Sequence, residues 1–449
     1  MSPQESFQFA PCPEAAQWVR TQIEQFLTQC GPARHLKERL LQETGTRLMD
    51  WVQRIGVPDS AEAMLPQLGF FPWGPGGPAT RLFHHSQGLF PVVELGTPGI
   101  QLSLRVDSVA AFCERHTIAG PACDLGTLKK ARVYTGSDGA ELWVVQSARG
   151  RFYAADAEVE LEPGALVLGS LEQRKRDHGV PEESFEHARA LIQSAQARIG
   201  PLATSELFFA AERSYWERRN AAARLQKSRQ DALGLGWGNH DHHTYRSSRE
   251  HFASLIRTLE LLGLRCRERF YAGTEAGWGA QVLAHPETGL MIFADVDLEP
   301  HEVSLDFAHD GLGTKQELGT VGLWCKLHGE AFLEAGMHHL EAQFDFEEAC
   351  RQLHPSVGVM PPFTSFNYLK QCFTRAEMWT VSEERLQAAL THQWIQPHQA
   401  ETFRINGAFG SHLEILERNE GYAGFNQTGI SEIIARTDPR RGGAGGSSL

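Results

Sequence analysis

The second half of the chain opens with the stretch Asn239-His240-Asp241-His242-His243-Thr244-Tyr245-Arg246-Ser247-Ser248. This stretch contains more side chains that can bind a metal ion or an anion than any other window of the sequence. The β-branched and aromatic residues at its centre favour an extended strand. Because alternate side chains of a strand share a face, His242, Thr244 and Arg246 would point one way and His243 the other. A face with a histidine and an arginine can hold a metal ion beside an anionic group. The plainer alternative is a polar surface strand.

Composition narrows the class of protein. At 449 residues the chain is too long for one hydrophobic core, which predicts two or three domains. No apolar run approaches the ~20 residues of a membrane span, and the polar N-terminus has no signal-peptide core. The formal charge of −13 argues against nucleic-acid binding. The eight cysteines are scattered without a Cys-x-x-Cys pair, which is typical of reduced thiols in the cytoplasm.

The N-terminal half carries no motif with an assignable function. Residues 13–56 have apolar positions at helical spacing, and residues 70–77 form an aromatic loop rich in Gly and Pro. Strands are predicted within residues 90–146, with one short helix at residues 108–116. Residues 181–234 are helical and charged, as expected of a connecting helix.

These patterns divide the chain into five segments. The expected order is a helical N-terminal segment (1–80), an α+β module that could be a degenerate barrel (81–180), a helical connector (181–235), a metal-binding catalytic barrel (236–439) and a disordered tail (440–449).

One order of elements occurs twice in the second half. After the opening strand come a helix at residues 247–263 and strands at 264–271, 278–284 and 290–296. The order recurs with a strand at 336–344, a helix at 345–353, irregular sequence, a further helix at 382–391 and strands at 402–406 and 412–417. The predicted fold class is therefore α+β, with two strand-helix-strand-strand-strand (βαβββ) modules in a half-open barrel that follows a helical and β-rich N-terminal domain.

The two modules offer a set of metal ligands. In the last strand, Leu413 and Ile415 face one way and Glu414 the other. Equivalent strands would then present His242, His339 and Glu414 to the same interior. Two histidines and one carboxylate with open coordination positions are the signature of non-haem Fe(II) oxygenases.

Neighbouring residues compete for these roles, because a shift of one residue exchanges the faces of a strand. The apolar alternation favours His339 over His338 clearly and His242 over His243 less clearly. The same alternation predicts that Glu417 faces outward.

The motifs resemble those of the vicinal oxygen chelate superfamily. Residues 241–247 are similar to the Asp-His-x-x-x-Arg-Thr/Ser strand of the 2-oxoadipate dioxygenase/decarboxylase (2-hydroxyglutarate synthase) family, and residues 337–340 lie where that family carries its second histidine. Residues 413–418, with 421–425 and 431–438, look like its glutamate strand and closing helix. The C-terminal end is also similar to 4-hydroxyphenylpyruvate dioxygenase, although Ile430 stands where those enzymes carry an aromatic residue.

This resemblance implies a chemistry. The cofactor would be Fe(II), the reactants O2 and a small 2-oxo acid, and the products CO2 and a 2-hydroxy acid. No nucleic-acid or membrane partner is expected, and a homo-oligomer is an open alternative to a monomer. The metal ligands would be His242, His339 and Glu414, with Arg246 as a catalytic and substrate-binding residue and Arg404 and Gln343 as further substrate-binding candidates.

Several alternatives remain open at this point. Arg246 could instead form a structural salt bridge with Glu341 or Asp241. The fold also hosts glyoxalase-type isomerases and lyases, which use Zn, Ni or Co and a fourth protein ligand, for which Glu341 or His338 could serve. It also hosts metal-free binding proteins. Finally, residues 421–437 are predicted to fold over the barrel mouth as a lid.

Overall fold

The structure is a computed structural model that describes residues 9–73, 81–118, 130–146, 161–425 and 438–441. Two mixed β-sheets of seven and eight strands organise these residues, and a two-stranded ribbon accompanies them. Helices pack on both large sheets.

The first sheet follows two N-terminal helices. Helices α1 (Pro13–Gln29) and α2 (Gly31–Arg39) each have a proline in the first turn, where its missing N–H costs no hydrogen bond. Their apolar faces share one core with the sheet. The strands are β1 (Val52–Val57), β2 (Phe70–Pro72), β3 (Leu82–His85), β4 (Val92–Leu95), β5 (Gln101–Arg105), β6 (Lys130–Thr135) and β7 (Glu141–Val145), with helix α3 (Val109–Arg115) after β5.

The order of these strands is β2-β3-β4-β1-β5-β7-β6. Strand β1 is parallel to β4 and antiparallel to β5, and β5 is parallel to β7. The sheet therefore consists of a four-stranded half and, within the residues described, a three-stranded half that meet at β1 and β5.

Two expectations for the N-terminal region are wrong. Residues 52–56 end the stretch with helical spacing, but they belong to β1, because Ile55 and Val57 are buried in a strand that pairs with neighbours on both sides. The helical spacing up to Trp51 is satisfied by a short 3-10 turn, Leu48–Trp51. The expected loop at residues 70–77 begins with strand β2.

Within the described part of the connection, four helices join the sheets: α4 (Leu161–Glu172), α5 (Pro181–Ile199), α6 (Pro201–Arg218) and α7 (Ala221–Ala232). They are not uniformly solvated. Glu212 of α6 is 1% exposed and lies 3.0 Å from Arg174 and 2.6 Å from Arg176. Tyr245 donates a 3.4 Å hydrogen bond to the same carboxylate, so these helices are anchored to the outer side of the second sheet.

The second sheet contains two modules. The first is β8 (His240–Arg246), α8 (Phe252–Leu261), β9 (Arg265–Tyr271), β10 (Trp278–Ala284) and β11 (Met291–Asp297), followed by helix α9 (Thr320–His328). The second is β12 (His339–Gln343), α10 (Phe346–Val357), β13 (Thr364–Phe366), β14 (Leu369–Phe373) and, after an insertion, β17 (His412–Arg418). The insertion holds β15 (Met378–Trp379), α11 (Glu383–Thr391), α12 (Pro397–Asn406) and β16 (Ala408–Phe409).

The strand order β13-β14-β17-β12-β8-β11-β10-β9 shows how the modules combine. In each module the first strand is parallel to the fourth, and the antiparallel pair β8–β12 joins the two. This arrangement confirms the predicted α+β class with paired βαβββ modules and a half-open barrel.

The second module departs from the prediction in two places: strands β13 and β14 lie in sequence predicted to be irregular, and residues 402–406 are not a strand. Residues 402–406 belong to helix α12, which begins with Pro397 in its first turn and a reciprocal capping pair between Gln396 and Gln399. Phe403 is buried whereas Ile405 is 71% exposed. Two apolar residues two positions apart imitate strand alternation, but one of them merely faces solvent.

Candidate metal centre

Three buried side chains converge on the inner face of the second sheet. His242 lies on β8, His339 on β12 and Glu414 on β17, and their candidate ligand atoms all lie within 4.8 Å of one another. His339 Nε2 is 3.1 Å from Glu414 Oε2. The structure thus brings the three predicted ligands together.

Strand pairing explains this convergence. Glu341 of β12 pairs across the antiparallel ladder with His242 and across the parallel ladder with Glu414. Residues at matching register on adjacent strands point to the same side of a sheet. His339, two positions before Glu341, therefore shares that side.

The competing neighbours on β8 and β17 lie on the other side. The His243 ring packs 5.7 Å from the ring of Phe209, on the side of the connecting helices. Glu417 accepts hydrogen bonds from the backbone N–H of Phe346 and from Asn419, both at 2.8 Å. Neither side chain can reach the cluster without a change of register.

His338 behaves differently from these outward neighbours. It precedes β12, so strand alternation does not govern its direction, and its imidazole also faces the interior. Its Nδ1 is 2.9 Å from His339 Nδ1. His338, His339 and His412 form a second group with ligand atoms within 4.8 Å, and Asp241, His242 and Glu341 form a third.

Polar residues surround the three predicted ligands. Glu341 Oε1 lies 2.8 Å from His242 Nδ1, without the alignment of a hydrogen bond. Gln371 Nε2 donates to Glu341 at 2.8 Å and to Glu414 at 3.2 Å. Such neighbours orient ligands and tune their basicity.

Arg418 supplies the positive charge behind the cluster. Its Nη2 lies 3.1 Å from Asp241 and 3.7 Å from Glu341, and all three residues are buried. The salt bridge considered for Arg246 is therefore made by Arg418 instead.

The protonation states follow from burial and neighbouring charge. Burial alone would lower the pKa of His242, but the carboxylates of Glu341 and Asp241 raise it to about 9. Burial and the negative charge of Glu341 raise the pKa of Glu414 well above its usual value. Burial, with His412 and His242 nearby, holds the pKa of His339 well below its usual value.

Metal uptake is therefore expected to release protons. With a pKa of about 9, metal-free His242 carries a proton at neutral pH that a metal must displace. Because this pKa is raised, affinity should weaken as pH falls below about 9 and level off above it. For one displaced proton we expect about a tenfold change in the apparent Kd for Co(II) per pH unit. Competition titrations at several pH values measure this, and a constant Kd between about pH 7 and pH 9 would contradict it.

A cavity of about 80 Å³ lies beside the cluster. This volume has room for roughly five water-sized groups. Its polar lining is His242, Thr244, Arg246, Asp295, His338, His339, Gln371, His412 and Glu414. Its aromatic lining is Phe270, Trp278, Phe293, Phe363, Phe373 and Phe425.

Arg246 is the arginine of this lining. It is 3% exposed, and its Nε and Nη1 have no hydrogen-bond partner among the residues described. Its guanidinium lies 5.7 Å from the ring of Trp324. Burial raises the pKa of Asp295 to about 7 even though the charges of Arg246 and His242 lower it. Because a buried N–H without a partner costs about 1–3 kcal/mol, the free donors of Arg246 suit an anionic ligand.

The donor set also fits a cation. His242 Nδ1, Glu341 Oε1 and both nitrogens of His412 are buried without a hydrogen-bond partner among the residues described. Two imidazoles and a carboxylate are ligands that iron and zinc accept. A divalent ion would also take the place of protons at His242 and Glu414, because the pKa of each is raised and both must be deprotonated to bind a metal.

Two predicted substrate-binding residues lie elsewhere. Arg404 is on α12 and pairs with Glu383 and Glu401 at the surface, because residues 402–406 are helical rather than extended. Gln343 donates a 2.9 Å hydrogen bond to Asp241, behind the cluster. The predicted lid at residues 421–437, including Ile430, falls largely outside the described residues.

Sequence reasoning missed four residues of the site: Asp295, Gln371, His412 and Arg418. Each reaches the cluster through long-range strand pairing. A signal existed for His412 and Arg418, since they lie two positions before and four positions after Glu414 on the same strand face.

Comparisons with known proteins do not identify a function for this chain. No known family matches the sequence, and no curated protein matches it. Among solved structures, a putative hydrolase from Shewanella frigidimarina is 14% identical, with 50% of this chain and 98% of that chain covered at a TM-score of 0.33. A 4-hydroxymandelate synthase variant from Streptomyces coelicolor is 13% identical, with 88% of this chain and 98% of that chain covered at a TM-score of 0.27. Methylmalonyl-CoA epimerase from Mycobacterium tuberculosis is 14% identical, with 40% of this chain and 88% of that chain covered at a TM-score of 0.22.

Because these TM-scores are low, no function is transferred from these proteins. The strand order itself defines the class: two βαβββ modules side by side form the vicinal oxygen chelate fold. Within the described residues, no helix is both long and apolar enough to cross a membrane.

Proposed function

We propose that the chain is a non-haem Fe(II)-dependent dioxygenase that oxidatively decarboxylates a small 2-oxo acid, 2-oxoadipate or a close analogue. The observation that carries this proposal is the buried group of His242, His339 and Glu414 beside a cavity that contains Arg246. The overall reaction would be a 2-oxo acid plus O2 giving CO2 and a 2-hydroxy acid one carbon shorter.

In this proposal, separate residues bind the metal and the substrate. His242, His339 and Glu414 would hold Fe(II), which supplies open positions for a chelating 2-oxo acid and for O2. Arg246 would bind the distal carboxylate of the substrate through its planar fork. The aromatic lining would exclude bulk water, which strengthens both interactions.

The pseudo-symmetry of the modules supports an open coordination position. Glu414 lies opposite Glu341, two positions after His339. In the other module, Phe293 lies opposite the residue two positions after His242. Phe293 therefore occupies the position equivalent to Glu414. A symmetric site would take two ligands from each module, but phenylalanine cannot ligate a metal, so the first module offers only His242 at these positions.

A glyoxalase-type isomerase is the second candidate, and one observation favours it. Glu341 lies 2.8 Å from His242 and belongs to a possible ligand group with it. If Glu341 moved onto the metal as a fourth ligand, chemistry without O2 would be expected.

Oxygen consumption separates these functions. The Fe(II)-loaded protein, prepared without oxygen, would be mixed with 2-oxoadipate, 2-oxoglutarate or pyruvate in an oxygen electrode. The proposed function predicts one CO2 released per O2 consumed with at least one dicarboxylate. Turnover of substrate without O2 consumption would support the isomerase, and a metal-free preparation with unchanged ligand binding would support a binding protein.

Arg246→Lys is expected to slow turnover while iron content stays normal. Lysine keeps the charge but loses the two parallel N–H donors that match a carboxylate. With a dicarboxylate substrate, we expect the transition-state stabilisation calculated from kcat/KM to fall by about 1.5–3 kcal/mol. Steady-state kinetics with metal analysis measure both quantities.

Arg404→Lys is the matched control. Arg404 is an exposed arginine outside the cavity, so its kinetics should remain those of the wild type. Unchanged kinetics in both variants would make Arg246 a structural residue.

A further inference from the structure

The fold brings together two cysteines that are distant in sequence. Cys350 on α10 and Cys372 on β14 have their sulfurs 3.6 Å apart. Cys372 is fully buried and Cys350 is partly exposed. The helix covers the outer face of the sheet, so one thiol is reachable from solvent and the other lies directly beneath it.

We propose that Cys350 and Cys372 form a peroxide-sensitive dithiol that closes reversibly to a disulfide behind the metal cluster. Disulfides in reducing compartments are usually transient and serve catalysis or redox sensing. The sulfurs must approach from 3.6 Å to the ~2.05 Å of a disulfide, a distance that rotation of the two side chains and a small helix shift can cover.

The two thiols are unequal, which sets the direction of the reaction. The hydrogen bond with Cys372 lowers the pKa of Cys350, against the effect of burial. That same hydrogen bond and burial raise the pKa of Cys372 well above its usual value. Cys350 is therefore the better thiolate, and it is also the one that solvent reaches.

The chemistry balances with a hydroperoxide as the oxidant. The Cys350 thiolate attacks the terminal oxygen of the peroxide, an S–O bond forms, the O–O bond breaks, and the leaving oxygen takes up a proton. The Cys372 sulfur then attacks the Cys350 sulfenic sulfur, the S–S bond forms, and water leaves with the Cys372 proton. Two thiols are oxidised by two electrons, and hydrogen peroxide is reduced to two waters.

The position of Cys372 couples this pair to the cluster. Its neighbours on β14 are Gln371, which donates to Glu341 and Glu414, and Phe373, which stacks on His412 with ring centroids 4.0 Å apart. Strand alternation places Cys372 on the outer face and these two neighbours on the inner face. A shift of β14 toward α10 would therefore displace Gln371 from the carboxylates.

The disulfide is tested on the full chain in its metal-free form. After brief treatment with hydrogen peroxide and alkylation of the remaining thiols, intact mass and peptide mapping should show the loss of two hydrogens and a link between residues 350 and 372. Dithiothreitol should reverse both. Cys350→Ser should abolish the link, whereas Cys266→Ser, which removes an exposed cysteine elsewhere, should not. Sulfinic or sulfonic acid at Cys350 without a link would overturn the proposal.

The coupling is tested by loading Co(II) after the peroxide has been removed. It rests on the metal site proposed above, whereas the disulfide does not. We expect Co(II) affinity to fall roughly 10–100-fold in the oxidised form, the usual cost of losing a neighbour that orients a ligand, and to recover on reduction. Equal affinity in both forms would overturn the coupling. Absence of Co(II) binding in the reduced wild type would instead refute the metal site, so the two failures are distinguishable.

Discussion

Replacing His242, His339 or Glu414 by alanine is expected to remove most of the bound metal and, with it, the activity. In the proposed site each would contribute one of three protein ligands, so each variant would keep only two. The loss should exceed the roughly 10–100-fold fall in affinity caused by losing a neighbour of a ligand. Metal analysis after anaerobic purification, with a Co(II) titration, measures the effect.

Matched variants on the opposite strand faces provide the control. Glu414→Gln should lose metal, whereas Glu417→Gln, three positions along the same strand, should retain it. His242→Gln and His243→Gln form the corresponding pair on β8. If all the inward-facing variants keep wild-type metal content and turnover, the ligand assignment is wrong.

Arg418→Met is expected to destabilise the metal-free protein by about 3–5 kcal/mol. Arg418 is 8% exposed and faces two buried carboxylates, those of Asp241 and Glu341. Methionine preserves most of the side-chain volume but leaves both carboxylates without their arginine. Removing one partner of a buried ion pair is costly because the remaining charge stays desolvated. Denaturant unfolding of the metal-free protein gives the free energy of unfolding.

Two further variants show whether charge is the cause. Asp241→Asn combined with Arg418→Met should recover part of the loss, because one unpaired carboxylate is gone. Arg404→Met, which breaks surface ion pairs, should change stability by less than about 1 kcal/mol. A loss at Arg418 that is no larger than the loss at Arg404 would contradict this role.

The local sequence pattern was sufficient to predict the strands that carry the three proposed metal ligands. Polar and apolar residues alternate along β12 and along β17 from His412 to Ile415, so a buried sheet face fixes which side chains point inward. The inward positions of His339 and Glu414 follow from this alternation, whereas it favours His242 less clearly because β8 contains mostly polar residues. The βαβββ order of the first module was visible because each element has its own period of apolar residues, whereas strands β13 and β14 of the second module lie in sequence that was predicted to be irregular.

The local sequence pattern predicted the wrong secondary structure where tertiary contacts determine it. Residues 52–56 look helical until their pairing with β4 and β5 is known. Residues 402–406 alternate like a strand, but a capped turn makes them helical, and Arg404 is carried to the surface with them.

The residues around the cluster could not be predicted for a related reason. Gln371 and Asp295 reach the cluster through strand register between distant segments, and register is not encoded in local periodicity. The Cys350–Cys372 contact likewise requires α10 to pack on β14. Alternation along the predicted strand placed His338 on the outer face, but His338 precedes β12 and still faces the cavity.

Anomalous diffraction at the iron edge, from crystals grown without oxygen and loaded with Fe(II), tests the central claim most directly. The proposed centre predicts one strong peak at about 2.0–2.3 Å from a nitrogen of His242, a nitrogen of His339 and an oxygen of Glu414. A peak among His338, His339 and His412, or among Asp241, His242 and Glu341, would contradict it, as would iron-loaded crystals without a peak in this cavity.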